Sequence, residues 1–179
     1  MNVQAKKILD LLIARKEKVV FAESCTAGNV AAEFAKTPGA SNCLCGSLVT
    51  YRAKMKKKVL GVKKKTIKKH TTESPNVAQE MARGAIKVAE SNWAVAVVGH
   101  FGPKAPTEKD GMVYISIAHL VNVEGARCSV ECFDTECHLT SKGRVSRCYE
   151  TTSAIFDILF DRLAKQEQNE EYLNNPLLV

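Results

Sequence analysis

Two hydrophobic periods run through this chain, and the switches between them mark its elements. Val3 to Ala14 sets Val3, Ile8, Leu11 and Leu12 near one face, which predicts an amphipathic helix. Val19 to Ala22 is a short apolar run of the length of a buried strand. Small and hydroxyl residues follow, Glu23-Ser24-Cys25-Thr26-Ala27-Gly28, and apolar positions return from Val30 to Phe34. A helix over Thr26–Ala35 is expected there, stopped by Thr37-Pro38-Gly39. Cys43 to Tyr51 alternates and ends in β-branched residues, as a strand does, and Lys54 to Leu60 reads as a short helix closed by Gly61. Ser74-Pro75 is a strong helix start, with Ser as N-cap and Pro at the first position. That helix carries Val77, Met81, Ala85 and Val88 and ends near Ser91-Asn92.

Trp93 to Val98 is apolar without a break, the mark of a strand covered on both faces. Gly99 to Pro106 is a loop. Gly111 to Leu120 alternates, and Ala126 to Phe133 is its expected hairpin partner. Thr151 to Ala164 is the last predicted helix, facing inward through Ile155, Ile158, Leu159 and Leu163. The pattern predicts an α/β fold, a single-domain mixed β-sheet flanked by helices, over residues 1–165. Residues 166–179 read as a polar, loosely held tail in which Tyr172, Leu173, Leu177 and Leu178 are available to dock on a neighbour.

Composition narrows the function classes. A chain of 179 residues fits one domain with a sizeable core. No apolar run approaches the roughly 20 residues of a membrane span, and the N-terminus lacks the features of a signal peptide. A cytoplasmic protein is the expectation. The seven cysteines, Cys25, Cys43, Cys45, Cys128, Cys132, Cys137 and Cys148, are then read as thiols. Cys128 and Cys132 on one strand would stand about 13 Å apart, too far for two ligands of one metal. No metal or cofactor is expected. The net charge of +7 is concentrated between Arg52 and Lys69. Such a patch suits a phosphorylated substrate or nucleic acid, but it lacks the interleaved aromatics of single-strand binders, and nucleic acid is the weaker reading.

Ser24 is the candidate for chemistry. It follows a buried strand and precedes a helix, where α/β proteins bind ligands and helix N–H groups hold anions. A Ser hydroxyl needs a neighbouring base, and Tyr51 with several lysines lies downstream. The bland alternative is a helix-capping Ser. The glycines of Gly99-His100-Phe101-Gly102 permit close approach to a ligand, and His100 is a possible proton carrier near neutral pH.

Ala22-Glu23-Ser24-Cys25-Thr26-Ala27-Gly28 resembles the AESCTGG motif of the CinA C-terminal domain family, which includes bacterial nicotinamide-mononucleotide amidohydrolases. Further matches run in order: Thr37-Pro38-Gly39-Ala40-Ser41, Val49-Thr50-Tyr51, Leu60-Gly61-Val62, Met81-Ala82-Arg83-Gly84-Ala85, Gly102-Pro103 and Thr107-Glu108-Lys109. The resemblance extends from Asp10 to Leu163. It implies a CinA C-terminal domain-like α/β/α sandwich, a pyridine nucleotide as substrate, and a homodimer or other homo-oligomer. It also implies Ser24 as nucleophile, Lys56 as its base and Tyr51 as an assistant, with Lys54 the rival base. By position, the N–H groups around Cys25, Thr26 and Gly28 would face a developing oxyanion. Gly99, His100, Phe101 and Gly102 would form the other wall, and Arg144 or Arg147 would meet a phosphate. The chain departs from the family where Val98-Gly99-His100-Phe101-Gly102-Pro103 stands for TGIAGP, and where Gly143 falls on the first Arg position of a GDR segment. These departures leave a second reading open, a non-catalytic relative that binds a nucleotide or a protein.

Overall fold

Asn2 starts the first helix by accepting hydrogen bonds from the N–H groups of Gln4 and Ala5, two donors the helix itself leaves unpaired. That helix, α1 (Val3–Ala14), buries Ala5, Ile8, Leu9 and Leu12. The computed structural model describes residues 2–102, 105–121 and 128–174, with 167–174 as backbone. After α1 come β1 (Val19–Glu23), α2 (Asn29–Ala35), β2 (Leu44–Val49), α3 (Ala53–Leu60) and α4 (Lys64–His70). Then follow α5 (Pro75–Ala89), β3 (Trp93–Gly99), β4 (Met112–Val121), β5 (Ser129–His138) and α6 (Arg144–Asn174).

The strands form one mixed sheet in the order β2-β1-β3-β4-β5. β1 runs parallel to β2 and β3, and β4 runs antiparallel to β3 and β5. Successive residues of a strand face opposite sides, and this alternation sorts the core. Val19, Phe21, Val95 and Val97 pack with Ile8, Leu12, Phe34, Phe156 and Leu159 of α1, α2 and α6. Val20, Ala22, Ala94, Ala96 and Val98 pack with Leu60, Val77, Met81 and Ala85 of α3 and α5. The result is the mixed sheet between two helix layers that the sequence pattern predicts. α2 crosses from β1 to β2 on one face, and α3 to α5 cross from β2 to β3 on the other. The C-terminal ends of β1 and β3 are therefore a switch point of the chain, where open α/β sheets leave a crevice.

Four boundaries differ from the sequence expectation. α2 begins at Asn29 and not at Thr26, because Ala27 (φ 53°) and Gly28 (φ 102°) turn left-handed first. α4 was not expected; it buries none of its residues, so it leaves no apolar period to read. β5 runs on to His138, since Asp134 is accommodated by hydrogen bonds from Ser116 (2.6 Å) and Gln79 (2.9 Å). α6 starts seven residues before the expected Thr151, at Arg144, and continues as helix through Asn174. Its early start follows from Glu150, whose carboxylate reaches back to the N–H groups of Thr140 and Ser141. The expected strand start at Ala126, Pro103 and Lys104 of the loop, and the side chains of Tyr172, Leu173, Leu177 and Leu178 lie outside the described residues.

Two contacts fix the elements that carry the site. Glu23, the last residue of β1, has no exposed surface. Its Oε2 accepts from Thr26 Oγ1 (2.7 Å), Gly28 N (2.8 Å) and Val30 N (3.1 Å), and its Oε1 accepts from Ala31 N (3.1 Å) and Ser47 Oγ (2.9 Å). One carboxylate thus ties the turn after β1, the first turn of α2 and strand β2. On the other face, a Cβ at Gly84 of α5 would stand 2.0 Å from the carbonyl oxygen of Leu60. Glycine there lets α5 and α3 meet backbone to backbone.

Glu23→Ala strands several buried donors at once, and we expect a loss of at least about 3 kcal/mol in urea unfolding. Gly84→Ala pushes α3 away from α5. It is expected to cost at least the 1–3 kcal/mol or so of overpacking and to shift Lys56, so that any activity falls more than stability alone explains. A thermal and kinetic comparison of the Gly84→Ala protein checks both.

Candidate active site

Ser24 stands where β1 hands over to the Glu23-braced turn. It is 5% exposed, and Lys56 of α3 has no exposed surface. Lys56 Nζ lies 2.7 Å from Ser24 Oγ and donates to the Thr50 carbonyl at 2.8 Å. Two short contacts therefore aim the amine at the hydroxyl. Burial pulls the Lys56 pKa down from 10.5 to about 8, against the opposing pull of Glu73 and Cys25. The surrounding lysines, Lys54 and Lys57 among them, are exposed and solvated, so desolvation rather than a crowd of like charges lowers it. Lys54, the rival base, points to solvent.

Cys25, next to the candidate nucleophile, is buried, and burial pushes its thiol up to about 12 despite the nearby Lys56. It is a protonated core thiol, unlike the neighbouring Ser24 hydroxyl, which has an amine within 2.7 Å. Thr26 gives its hydroxyl to Glu23, and so does the Gly28 N–H. Gly28 therefore has no donor to spare for an oxyanion, contrary to expectation. The N–H of Ala27 is likewise returned to the Ser24 carbonyl at 3.1 Å.

Tyr51 is 54% exposed, and its hydroxyl accepts from Arg144 Nη1 at 3.3 Å. The group that orients Lys56 is the carbonyl of Thr50, not the Tyr51 phenol. The Arg144 guanidinium also lies 3.4 Å from where a Cβ of Gly102 would stand. Tyr51 follows β2 and Gly102 follows β3, while β1 runs between those strands. Arg144 therefore reaches across the end of β1, above Ser24. It lines three cavities around that point, of about 550, 580 and 470 Å³. Neither Ser24 nor Lys56 lines any of the three; Cys25, Thr26 and Gly28 line the third.

Arg147 is placed otherwise than expected. It is buried, with Nη1 and Nη2 on the two oxygens of Asp110 (2.6 and 2.7 Å) and Nε on the Ser141 carbonyl (3.0 Å). Its fork is spent on bracing the start of α6; it borders the second cavity as one half of an ion pair, while Arg144 lines all three without a carboxylate partner among the described residues. At the end of β3 and in the loop after it, Gly99, His100, Phe101 and Gly102 all line the first cavity. Gly99 is required by β4, because a Cβ there would come within 2.6 Å of Val113 Cγ1. Phe101 is 5% exposed and belongs to the core cluster of Val97, Val113 and Leu139, and it also borders two cavities. Val98 is wholly buried on the α5 side. His100 lines the first cavity with its Nε2 buried and without a hydrogen-bond partner among the described residues.

Three residues of the site escaped sequence reasoning. Glu23 carried a signal, since a charged residue ending an apolar strand is buried only when paired. Thr50 acts through its carbonyl, which no side-chain pattern reveals. Glu73, beside α5, lines the first cavity and is close enough to act on Lys56. Among the described residues no cluster of His, Cys, Asp or Glu is arranged to hold a metal, and no helix is long and apolar enough to cross a membrane.

The same architecture recurs in solved structures. A CinA superfamily protein from Klebsiella pneumoniae superposes with a TM-score of 0.80 at 24% identity, covering 90% of this chain and 96% of that one. A competence/damage-inducible protein from Agrobacterium tumefaciens gives 0.79 at 28% identity, covering 88% and 92%. By sequence, a CinA-like protein of Prochlorococcus marinus is 44% identical over 113 residues, covering 62% of this chain and 27% of its own length. A putative competence-damage inducible protein of Caldicellulosiruptor saccharolyticus is 37% identical over 113 residues, covering 62% of this chain and 28% of its own length. The match thus spans about a quarter of those curated relatives. The family model described as the CinA C-terminal domain matches residues 2–150, and with the three-layer fold around the Ser24 site, this chain belongs to the CinA C-terminal domain family.

Proposed function

We propose that this protein is an amidohydrolase that releases ammonia from the carboxamide of nicotinamide mononucleotide, leaving nicotinate mononucleotide. The observation that carries the reading is the 2.7 Å contact between Ser24 Oγ and a fully buried Lys56 Nζ. A lysine placed beyond water serves as a base because its amine loses its proton near neutral pH.

The steps follow from that pair. Neutral Lys56 accepts the Ser24 proton while Oγ forms a bond to the carboxamide carbon. The carbonyl π pair moves to oxygen, giving a tetrahedral oxyanion. Lys56, now an ammonium, passes the proton to the departing nitrogen as the C–N bond breaks, and ammonia leaves. Water then adds to the Ser24 ester as Lys56 takes its proton; Lys56 returns that proton to Ser24 Oγ as the ester C–O bond breaks, and the acid leaves as its carboxylate after losing its own proton to water. Thr50 holds the amine through both halves. Arg144, suspended over the end of β1, meets the substrate's anionic group. The chemistry calls for no metal or organic cofactor.

The test is ammonia release from purified protein with nicotinamide mononucleotide. Ser24→Ala and Lys56→Ala should each cost at least about a thousandfold in kcat, because members of such a unit fail together; Lys57→Ala, on the exposed side of α3, should cost less than about twofold. Near-normal turnover by Ser24→Ala would sink the mechanism. Binding of the nucleotide without any ammonia release favours the non-catalytic relative instead.

The pH profile is a second check. Activity requires the neutral amine, so kcat/KM should rise through about pH 8, with roughly a tenth of the maximum at pH 7. Stability follows the same group. Its folded pKa of about 8 lies below the unfolded value of 10.5, so the unfolded chain binds the extra proton between them. Folding stability from this residue therefore rises with pH across that window, and Lys56→Met should flatten the rise in urea titrations at pH 7.5 and 10.

A further inference from the structure

The cavity of about 550 Å³ beside the Ser24–Lys56 pair is charged in two senses. Glu73 contributes a carboxylate from just before α5, on one face of the sheet. Arg144 contributes a guanidinium from the start of α6, on the other face, and Lys109 adds an ammonium from the turn before β4. Among the described residues Glu73 makes no ion pair. Its carboxylate oxygen accepts a single hydrogen bond, from Thr72 Oγ1 at 2.6 Å. A half-buried carboxylate without a cation is a standing cost that a positively charged ligand would remove.

The backbone leading to it is strained. Thr71, which also lines the cavity, has φ 68° and ψ 175°. That conformation is nearly confined to glycine, and a β-branched residue holds it only where its surroundings insist. The strained turn sets the Thr72–Glu73 pair at the cavity wall immediately before the Ser74 cap of α5. Nothing in the core requires this, since Glu73 belongs to neither hydrophobic cluster.

We propose that Glu73 is a specificity-determining residue that receives the positively charged ring of an N-alkylated pyridinium nucleotide, while Arg144 and Lys109 across the cavity receive its phosphate. The inference rests on the amidohydrolase reading and deepens it. A cavity lined by one carboxylate and two cationic side chains fits a ligand that itself carries charges of both signs. It disfavours ligands that are anionic throughout, because Glu73 repels them. The same carboxylate also acts on the base. Among the described residues, the titratable groups facing the cavity are Glu73, His100, Lys109 and Arg144, and those acting on Lys56 are Glu73 and Cys25. Glu73 holds the Lys56 proton on. A cationic ring seated against Glu73 offsets that pull, so the base is released as the substrate arrives.

Glu73→Gln and Glu73→Asp test this, with calorimetry on two probes: nicotinamide mononucleotide and its reduced form, which has the same phosphate but an uncharged dihydropyridine ring. The wild-type protein should bind the oxidised probe more tightly. Glu73→Gln should weaken the oxidised probe by about tenfold and leave the reduced one nearly unchanged, and Glu73→Asp should restore part of the loss. Arg144→Ala should weaken both alike. In kinetics, Glu73→Gln should raise KM for the oxidised nucleotide and move the acid limb of kcat/KM to lower pH, a change that mere loosening of the loop would not produce. Equal weakening of both probes by Glu73→Gln, or no weakening of the oxidised one, overturns the proposal. Discrimination between the probes without ammonia release upholds the Glu73 site and overturns the amidohydrolase reading. Failure of the wild-type protein to bind either probe overturns both.

Discussion

The site depends on one buried carboxylate. Glu23 gathers donors from the turn after β1, from the first turn of α2 and from Ser47 of β2. Without it, three N–H groups and two hydroxyls would be buried around a left-handed turn with no acceptor. That turn is what ends β1 at Ser24 and swings the chain away from the sheet, so the position of the Ser24 hydroxyl is set by the neighbouring acid. The same contacts consume the Gly28 N–H, and so fix the limits of the site as well as its place.

On the other side of Ser24 the sheet buries a basic group, and the two sides solve opposite problems. Glu23 is surrounded by donors and its charge is dispersed over five of them. Lys56 has one carbonyl and one hydroxyl, which is meagre company for an ammonium. Burial makes the first group a rigid bracket and the second a labile base. Gly84 belongs to the same arrangement, because α3 reaches this depth only where α5 has no side chain in the way.

Much of this was legible from residue patterns. The paired periods of β1 and β3, the Ser74-Pro75 start of α5 and the apolar stripe of α6 gave the layers. The run from Glu23 to Gly28 located Ser24 by its position between strand and helix. What stayed hidden has physical reasons. α4 buries nothing, so its Lys-rich sequence looks like any solvated stretch. The first turns of α6 carry Val145 and Tyr149 outward, and their helicity rests on Glu150 and on the Arg147–Asp110 pair, which joins residues 37 apart in sequence. Arg147 and Arg144 are three residues apart and look alike on paper. Only the fold shows that one is spent on a brace and the other is left over the cleft. The glycine at 99 and the phenylalanine at 101 serve two ends at once, since β4 and the core constrain them and both still line the first cavity.

Arg144 reaches Tyr51 across 93 residues of sequence. Ser24 follows β1 and Lys56 sits on α3, while the guanidinium above them opens α6, later in the chain than either. The Ser24–Lys56 contact is thus made by elements that precede α6, and the guanidinium joins them only across the folded sheet. Loop closure over such a distance is entropically expensive and is recovered only when α6 docks on α1 and α2. The three cavities that Arg144 lines therefore take shape together, with the docking of α6, and a loosening of that helix would open all three at once.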